Sequence, residues 1–211
     1  MTEAEWRVCI DPQAMLKPFP RRGSVRQGRL IAVACCRRAA QFMDSATQPA
    51  RNEFLNAIER RADEPFPNNW VDAVVGDIEF AEAHAHIEGC AKLIECFWII
   101  QYAGLAACLQ SALDAAEEGG AQREAEQQAG LIHCIVGNLF RPVAFDPAWR
   151  TSDVRALAQG IYDDRAFDRL PILADALQDA GCDNDDVLTH SRAATVHARG
   201  CWVVDAVLEK A

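Results

Sequence analysis

The chain has 211 residues, half of them apolar, and carries 21 Lys/Arg against 31 Asp/Glu for a formal net charge of −10. A chain of this length hides roughly 70% of its unfolded surface, so it can build a substantial core as a single domain 1–211 or as two packed halves, 1–136 and 137–211. The acidic balance argues against a nucleic-acid partner, because affinity for phosphate backbones comes from Lys and Arg displacing counterions. The charge is uneven, however: residues 1–38 hold eight basic residues against Glu3, Glu5 and Asp11, an excess of five, which leaves −15 on the remainder. That basic segment suits either an acidic partner or docking onto the acidic remainder of the same chain.

No basic stretch followed by an apolar run opens the sequence, so no secretory signal is expected. The most hydrophobic run, 93–109, falls short of the roughly 20 residues a bilayer requires and contains Glu95 and Gln101, so it reads as a buried core helix. Nine cysteines are an odd number, and without an export signal they read as reduced, buried residues of a cytoplasmic protein.

The helix signals follow in chain order. Thr2 and Glu5 form a T-x-x-E capping box, and Asp11 followed by Pro12 marks a second helix start. Val25–Met43 places Leu30, Val33, Ala34, Arg37 and Ala40 at helical spacing, and 50–62 is amphipathic through Phe54, Leu55 and Ile58. After the break at "DEPFPNN", residues 70–118 are helix-compatible throughout, with Gly76, Gly89 and Gly104 as interruption points and Gly119-Gly120 as a stop. A helix over about 121–136 leads to the loop-like "NLFRPVAFDPAW". Thr151 or Ser152 then caps a helix through Ala158, "AFDRLPILADALQDAG" supplies another if Pro171 falls in its first turn, and "RGCWVVDAVLEK" supplies the last. No segment alternates with period two. The fold class expected is all-α, a multi-helix bundle of roughly eight to ten helices.

The opening "TEAEW…DP…ML", "RLIAVACCRR" (29–38), "GNLFRPVAFDPAW" (137–149) and the stretch from "IYDDRAFDRLPILADALQDAGCDNDD" through "HARGCWVVD" (161–205) resemble an expanded family of paralogous bacterial proteins. The resemblance covers both ends of the chain, whereas about 45–130 diverges. It implies that 137–211 is a coherent helical unit and brings no reaction, cofactor or catalytic residue with it.

Candidate chemistry centres on "GCDNDDVLTHSRAATVHARGCW", which sets Cys182, His190, His197 and Cys201 within twenty residues. Two thiolates and two imidazoles are the ligand types of a closed structural zinc site, but the C-x7-H-x6-H-x3-C spacing lacks the close C-x-x-C pair of common zinc motifs. In an unbroken helix, His190 and His197 would stand about 10 Å apart along the axis, too far for one ion. The zinc reading therefore requires a chain break between them. The helix-tolerant "SRAATV" favours continuity, where the resembling family has glycine and proline, and continuity would leave Cys182 and Cys201 as core residues.

Elsewhere Glu82, His86 and Cys90 stack at helical spacing, but no second copy exists to complete a carboxylate-bridged di-metal set, so they read as a solvated face. His133 and Cys134 diverge by about 100° on a helix and cannot pair with each other, which leaves Cys134 as core. The Asp-rich run Asp163–Asp186 fails the EF-hand pattern, since Leu188 and Ala194 occupy its glycine and glutamate positions, and reads as caps for a short helix at 187–191. No nucleophile elbow, P-loop, dinucleotide fingerprint or H-E-x-x-H is present. The function ranked first is thus a non-catalytic protein-interaction module without a cofactor. A domain with a structural zinc ion ranks second, and an enzyme of unassigned class third.

Overall fold

A computed structural model describes residues 1–39, 49, 52, 55–56, 59–60, 62–63 and 121–210. Among the described residues the architecture is all-α and multi-helical, with short 3-10 turns and no strand. No helix among them is long and apolar enough to cross a membrane. The expected helices of 70–118, the run 93–109, and Glu82, His86 and Cys90 lie outside the described residues.

The chain divides into two compact units, one formed by Met1–Gln27 with Ala129–Ala211 and the other by Gly28–Gln128. The first 27 residues therefore belong with the C-terminal segment, a grouping that a cut near 136 does not foresee.

In the first unit, α1 (Glu3–Val8) starts at the expected capping box: the Glu5 amide donates to Thr2 Oγ1 and the Thr2 amide to Glu5 Oε2. Asp11 accepts the amides of Gln13 and Ala14 at the head of α2 (Pro12–Leu16), and α3 (Phe19–Arg22) is a single turn. The helix α4 (Val25–Ala39) and the helix α5 (Ala121–Val136) each carry the chain from one unit into the other. Gly137, at φ +67°, ends α5 in the left-handed region, where a side chain is costly.

The connector 138–149 is irregular as expected, with Asn138 accepting the amides of Phe140 and Arg141 and a 3-10 turn at Pro147–Trp149 capped by Asp146. Thr151 caps α6 (Ser152–Asp164), which runs six residues past the expected end because Ile161 and Tyr162 continue the buried stripe of Val154 and Ala158. Pro171 does fall in the first turn of α7 (Leu170–Asp179), after a 3-10 turn at Phe167–Arg169. The end of α7 is a Schellman motif: Gly181, at φ +90°, donates to the Gln178 carbonyl and Cys182 donates to that of Leu177. Asn184, rather than an aspartate, caps α8 (Asp185–Arg192), and α9 (Trp202–Leu208) closes the chain.

Helix α7 packs on α8 and on α6, and α6 also packs on α9. Their apolar faces join Leu170, Leu173, Leu177, Val187, Val203, Val204 and Val207 in one core together with Cys134, Cys182 and Cys201. The N-terminal segment is tied to this core electrostatically. Arg26 grips Asp205 with both guanidinium nitrogens in a buried pair, and Arg7 and Arg141 both bind Asp186. Docking of the basic segment onto acidic residues of the same chain is therefore realised, and it engages two of the C-terminal aspartates, Asp186 and Asp205.

In the second unit, Leu30–Cys35 are buried without interruption, so this stretch of α4 has no solvent face. Its end is held by Arg37, which donates to Glu59 and Asn56, and by Arg38, which donates to Glu124.

Candidate metal centre

The decisive local event lies just after α8. Ser191 Oγ donates to the Val187 carbonyl one turn back, and Arg192 donates to Asp175 and Gln178 of α7, anchoring the last turn. Ala193 is then extended, at φ −67° and ψ 133°, and no helix resumes before Trp202. The expectation of an unbroken helix is overturned: the segment between His190 and His197 leaves the helix without any glycine or proline inside it. Thr195 and Val196 are β-branched and favour extended backbone, and Gly200 adopts φ +93° to turn the chain into α9.

This break folds the chain back on itself. His190, in the last turn of α8, His197, in the irregular segment, and Cys201, at the N-cap of α9, come together with Cys134 from α5. Their ligand atoms all lie within 4.8 Å of one another. Cys134 Sγ is 3.4 Å from His197 Nδ1, and His190 Nε2 is 3.3 Å from Cys201 Sγ. The two imidazole rings stand edge to face, 5.1 Å apart. A tetrahedral ion with bonds of about 2.3 Å to sulfur and 2.0–2.1 Å to nitrogen has sulfur–nitrogen edges of about 3.5–3.6 Å. The two sulfur–nitrogen contacts lie within about 0.3 Å of that edge, so these four residues could hold a metal ion.

The surroundings orient the donors. His197 Nε2 lies 3.3 Å from the Ala193 carbonyl, which fixes the tautomer that leaves Nδ1 as the donor atom. Cys134 and Cys201 are buried to 1% and 0% exposure. Burial and the neighbouring Cys201 push the Cys134 thiol well up, against the backbone hydrogen bond from Ala198. For Cys201 burial also acts upward, but hydrogen bonding from Cys134 and the nearby His190 and His197 outweigh it and hold this thiol well below its usual value. A dication with two thiolates and two neutral imidazoles sums to zero charge, the condition under which a buried ionic cluster is tolerated.

Of the residues singled out from the sequence, the structure gathers His190, His197 and Cys201. It does not bring in Cys182. That residue completes the Schellman motif of α7 and lies 2% exposed in the core, where burial raises its thiol pKa. The fourth position belongs to Cys134, read from the sequence as core alone. It is also core: its flanking Ile132 and Ile135 are buried, and no spacing rule links it to a histidine 56 residues away. His197 and Cys201 do contribute as a pair, although on irregular backbone rather than on one helical turn. Comparison with protein-family models, with curated proteins and with solved structures finds no match for this chain.

Proposed function

We propose that the unit formed by 1–27 and 129–211 is a zinc-stapled helical domain, in which the ion has a structural role. The observation that carries this reading is the convergence of Cys134, His190, His197 and Cys201 from three separate segments, with ligand atoms within 4.8 Å. Four protein ligands fill a tetrahedron and leave no open position for substrate, which is the pattern of structural rather than catalytic zinc. Softness of the donor set selects zinc over magnesium or calcium, which take oxygen ligands. Thiolate ligands and the free thiol of Cys182 fit a reducing compartment such as the cytoplasm. Metal analysis of protein purified without an affinity tag tests the proposal. About one equivalent of zinc, lost together with thermal stability on chelation, is expected, and less than about a tenth of an equivalent would end the reading.

A protein-interaction role is compatible with such a domain and draws support from one feature. Val8 and Ile10, at 78% and 55% exposure, present apolar side chains to solvent at the end of α1. Val8→Asp should weaken recovery of any specific partner from the native host while leaving zinc content unchanged. Equal recovery would remove this support.

A further inference from the structure

A cleft of about 610 Å³ opens in the same unit. Its size falls within the roughly 300–1,000 Å³ of small-molecule sites, and its apolar walls include Trp6, Leu139, Val143 and Trp202. Arg7, Arg22, Arg26 and Lys210 line it against two carboxylates, Asp186 and Asp205, an excess of two positive charges in a chain whose net charge is −10. Both carboxylates are already engaged, Asp186 by Arg7 and Arg141 and Asp205 by Arg26. Among the described residues Arg22 has only uncharged partners: it donates to the Leu139 carbonyl at 3.3 Å and stacks 4.6 Å from the Phe140 ring centroid. A second, independent feature points to the same cleft. His190 lines it, its Nε2 is turned to Cys201, and its Nδ1 has no hydrogen-bond partner among the described residues. A metal-ligating histidine ordinarily donates its other N–H to an acceptor, and none stands there among the described residues.

We propose that this cleft binds a small organic anion, a carboxylate or phosphate monoester on a flat apolar body. Arg22 holds its charge, the Trp202 wall covers its body, and the His190 Nδ1–H supplies a further donor. Only the His190 contribution rests on the metal reading. Guanidinium recognition of a carboxylate or phosphate is charge-assisted and directional, so the site distinguishes an anion from a neutral molecule of the same shape.

Calorimetric titration of the full chain, with and without bound zinc, tests this with benzoate, phenyl phosphate, inorganic phosphate and benzyl alcohol as probes. Saturable one-to-one binding of benzoate or phenyl phosphate is expected, with benzyl alcohol weaker by about tenfold or more, the scale of one charge-assisted contact. Arg22→Gln should weaken the anions by a similar factor at unchanged zinc content. Arg22 is exposed, so this variant keeps its fold. Failure of both anions to bind below about 10 mM, charge-blind binding, or wild-type affinity in Arg22→Gln would overturn the proposal. Inorganic phosphate binding as tightly as phenyl phosphate would overturn the part assigned to the aromatic wall. Anion binding that vanishes with zinc but survives Arg22→Gln would place the anion on the metal and also refute it. Binding that persists without zinc and is lost in Arg22→Gln would uphold the cleft even if the metal reading fails.

Discussion

Cys134 and Cys182 offer a matched pair of perturbations, because both are thiols buried to 2% exposure or less in the same core cluster. On packing alone, Cys→Ala at either position leaves a gap of about one methyl group and costs about 1 kcal/mol, or a Tm loss of about 2–4 °C for a protein of this size. Cys134→Ala also removes a ligand. Structural zinc contributes apparent free energies of about 10–16 kcal/mol in small domains, so one ligand of four carries about 3 kcal/mol as an even share. The expected total for Cys134→Ala is then about 4 kcal/mol, a Tm loss of about 8–16 °C, together with a zinc affinity lower by about a hundredfold. Cys182→Ala should keep its zinc and lose only the packing component. Metal quantification and calorimetry on untagged wild type and both variants, before and after chelation, read the difference. Equal losses from the two substitutions, or a wild-type Tm indifferent to chelator, would refute the assignment of Cys134 as ligand.

Three further outcomes follow from the same geometry. Asp205→Asn strips the charge from the buried partner of Arg26 and should cost about 3–5 kcal/mol by denaturant titration, whereas Arg26→Met/Asp205→Leu should recover most of it; a double variant no more stable than the single one would contradict this. Gly137→Ala places a Cβ 3.0 Å from Trp202 Cγ at φ +67°, so it should destabilise by about 1–2 kcal/mol or more, and unchanged stability would show that the turn relaxes freely. Zinc affinity should fall on acidification. Burial alone would lower the His197 pKa, but its hydrogen bond and charge interaction with Cys201 raise it above the usual imidazole value. In the metal-free protein the raised group holds its proton at and below its ordinary value of about 6.5, so protons compete with zinc most strongly there. Chelator competition at pH 8, 7 and 6 should show affinity dropping by about tenfold per pH unit for each proton displaced, and a pH-independent affinity would exclude thiolate and imidazole ligation.

The elements legible in the sequence are those whose cause is local. Thr2 with Glu5, Asp11 with Pro12, and Thr151 satisfy the first amides of their own helices, so the capping pattern is sufficient to find them. Pro171 and Gly181 bracket α7 for equally local reasons. The site was legible only in part. His190, His197 and Cys201 stand close together in sequence, but Cys134 reaches them through the packing of α5, and its neighbours Ile132 and Ile135 give it the pattern of an ordinary core residue. Choosing Cys182 over Cys134 follows proximity along the chain, and proximity along the chain is not what packs a core.

The break after Arg192 is the feature that sequence propensity least supports, and its energetics are of the size that the proposed ion would supply. The nine residues from Ala193 to Cys201 form no helix, and the backbone bond that closes the turn before α9 is the Cys201 amide to the Ala198 carbonyl. Fixing nine residues costs about 9–18 kcal/mol at about 1–2 kcal/mol each. Few of the burial terms that usually offset such a cost are present, since most of the segment is partly or fully exposed until Gly200 and Cys201. A bound structural zinc contributes about 10–16 kcal/mol, the same magnitude. On this account the helix-tolerant "SRAATV" leaves the helix because His197 and Cys201 gain a metal by doing so. Chelation should therefore increase hydrogen exchange first at 193–201, with α6 and α7 protected until global unfolding. Uniform loss of protection across α6–α9 would instead assign the break to the packing of the core.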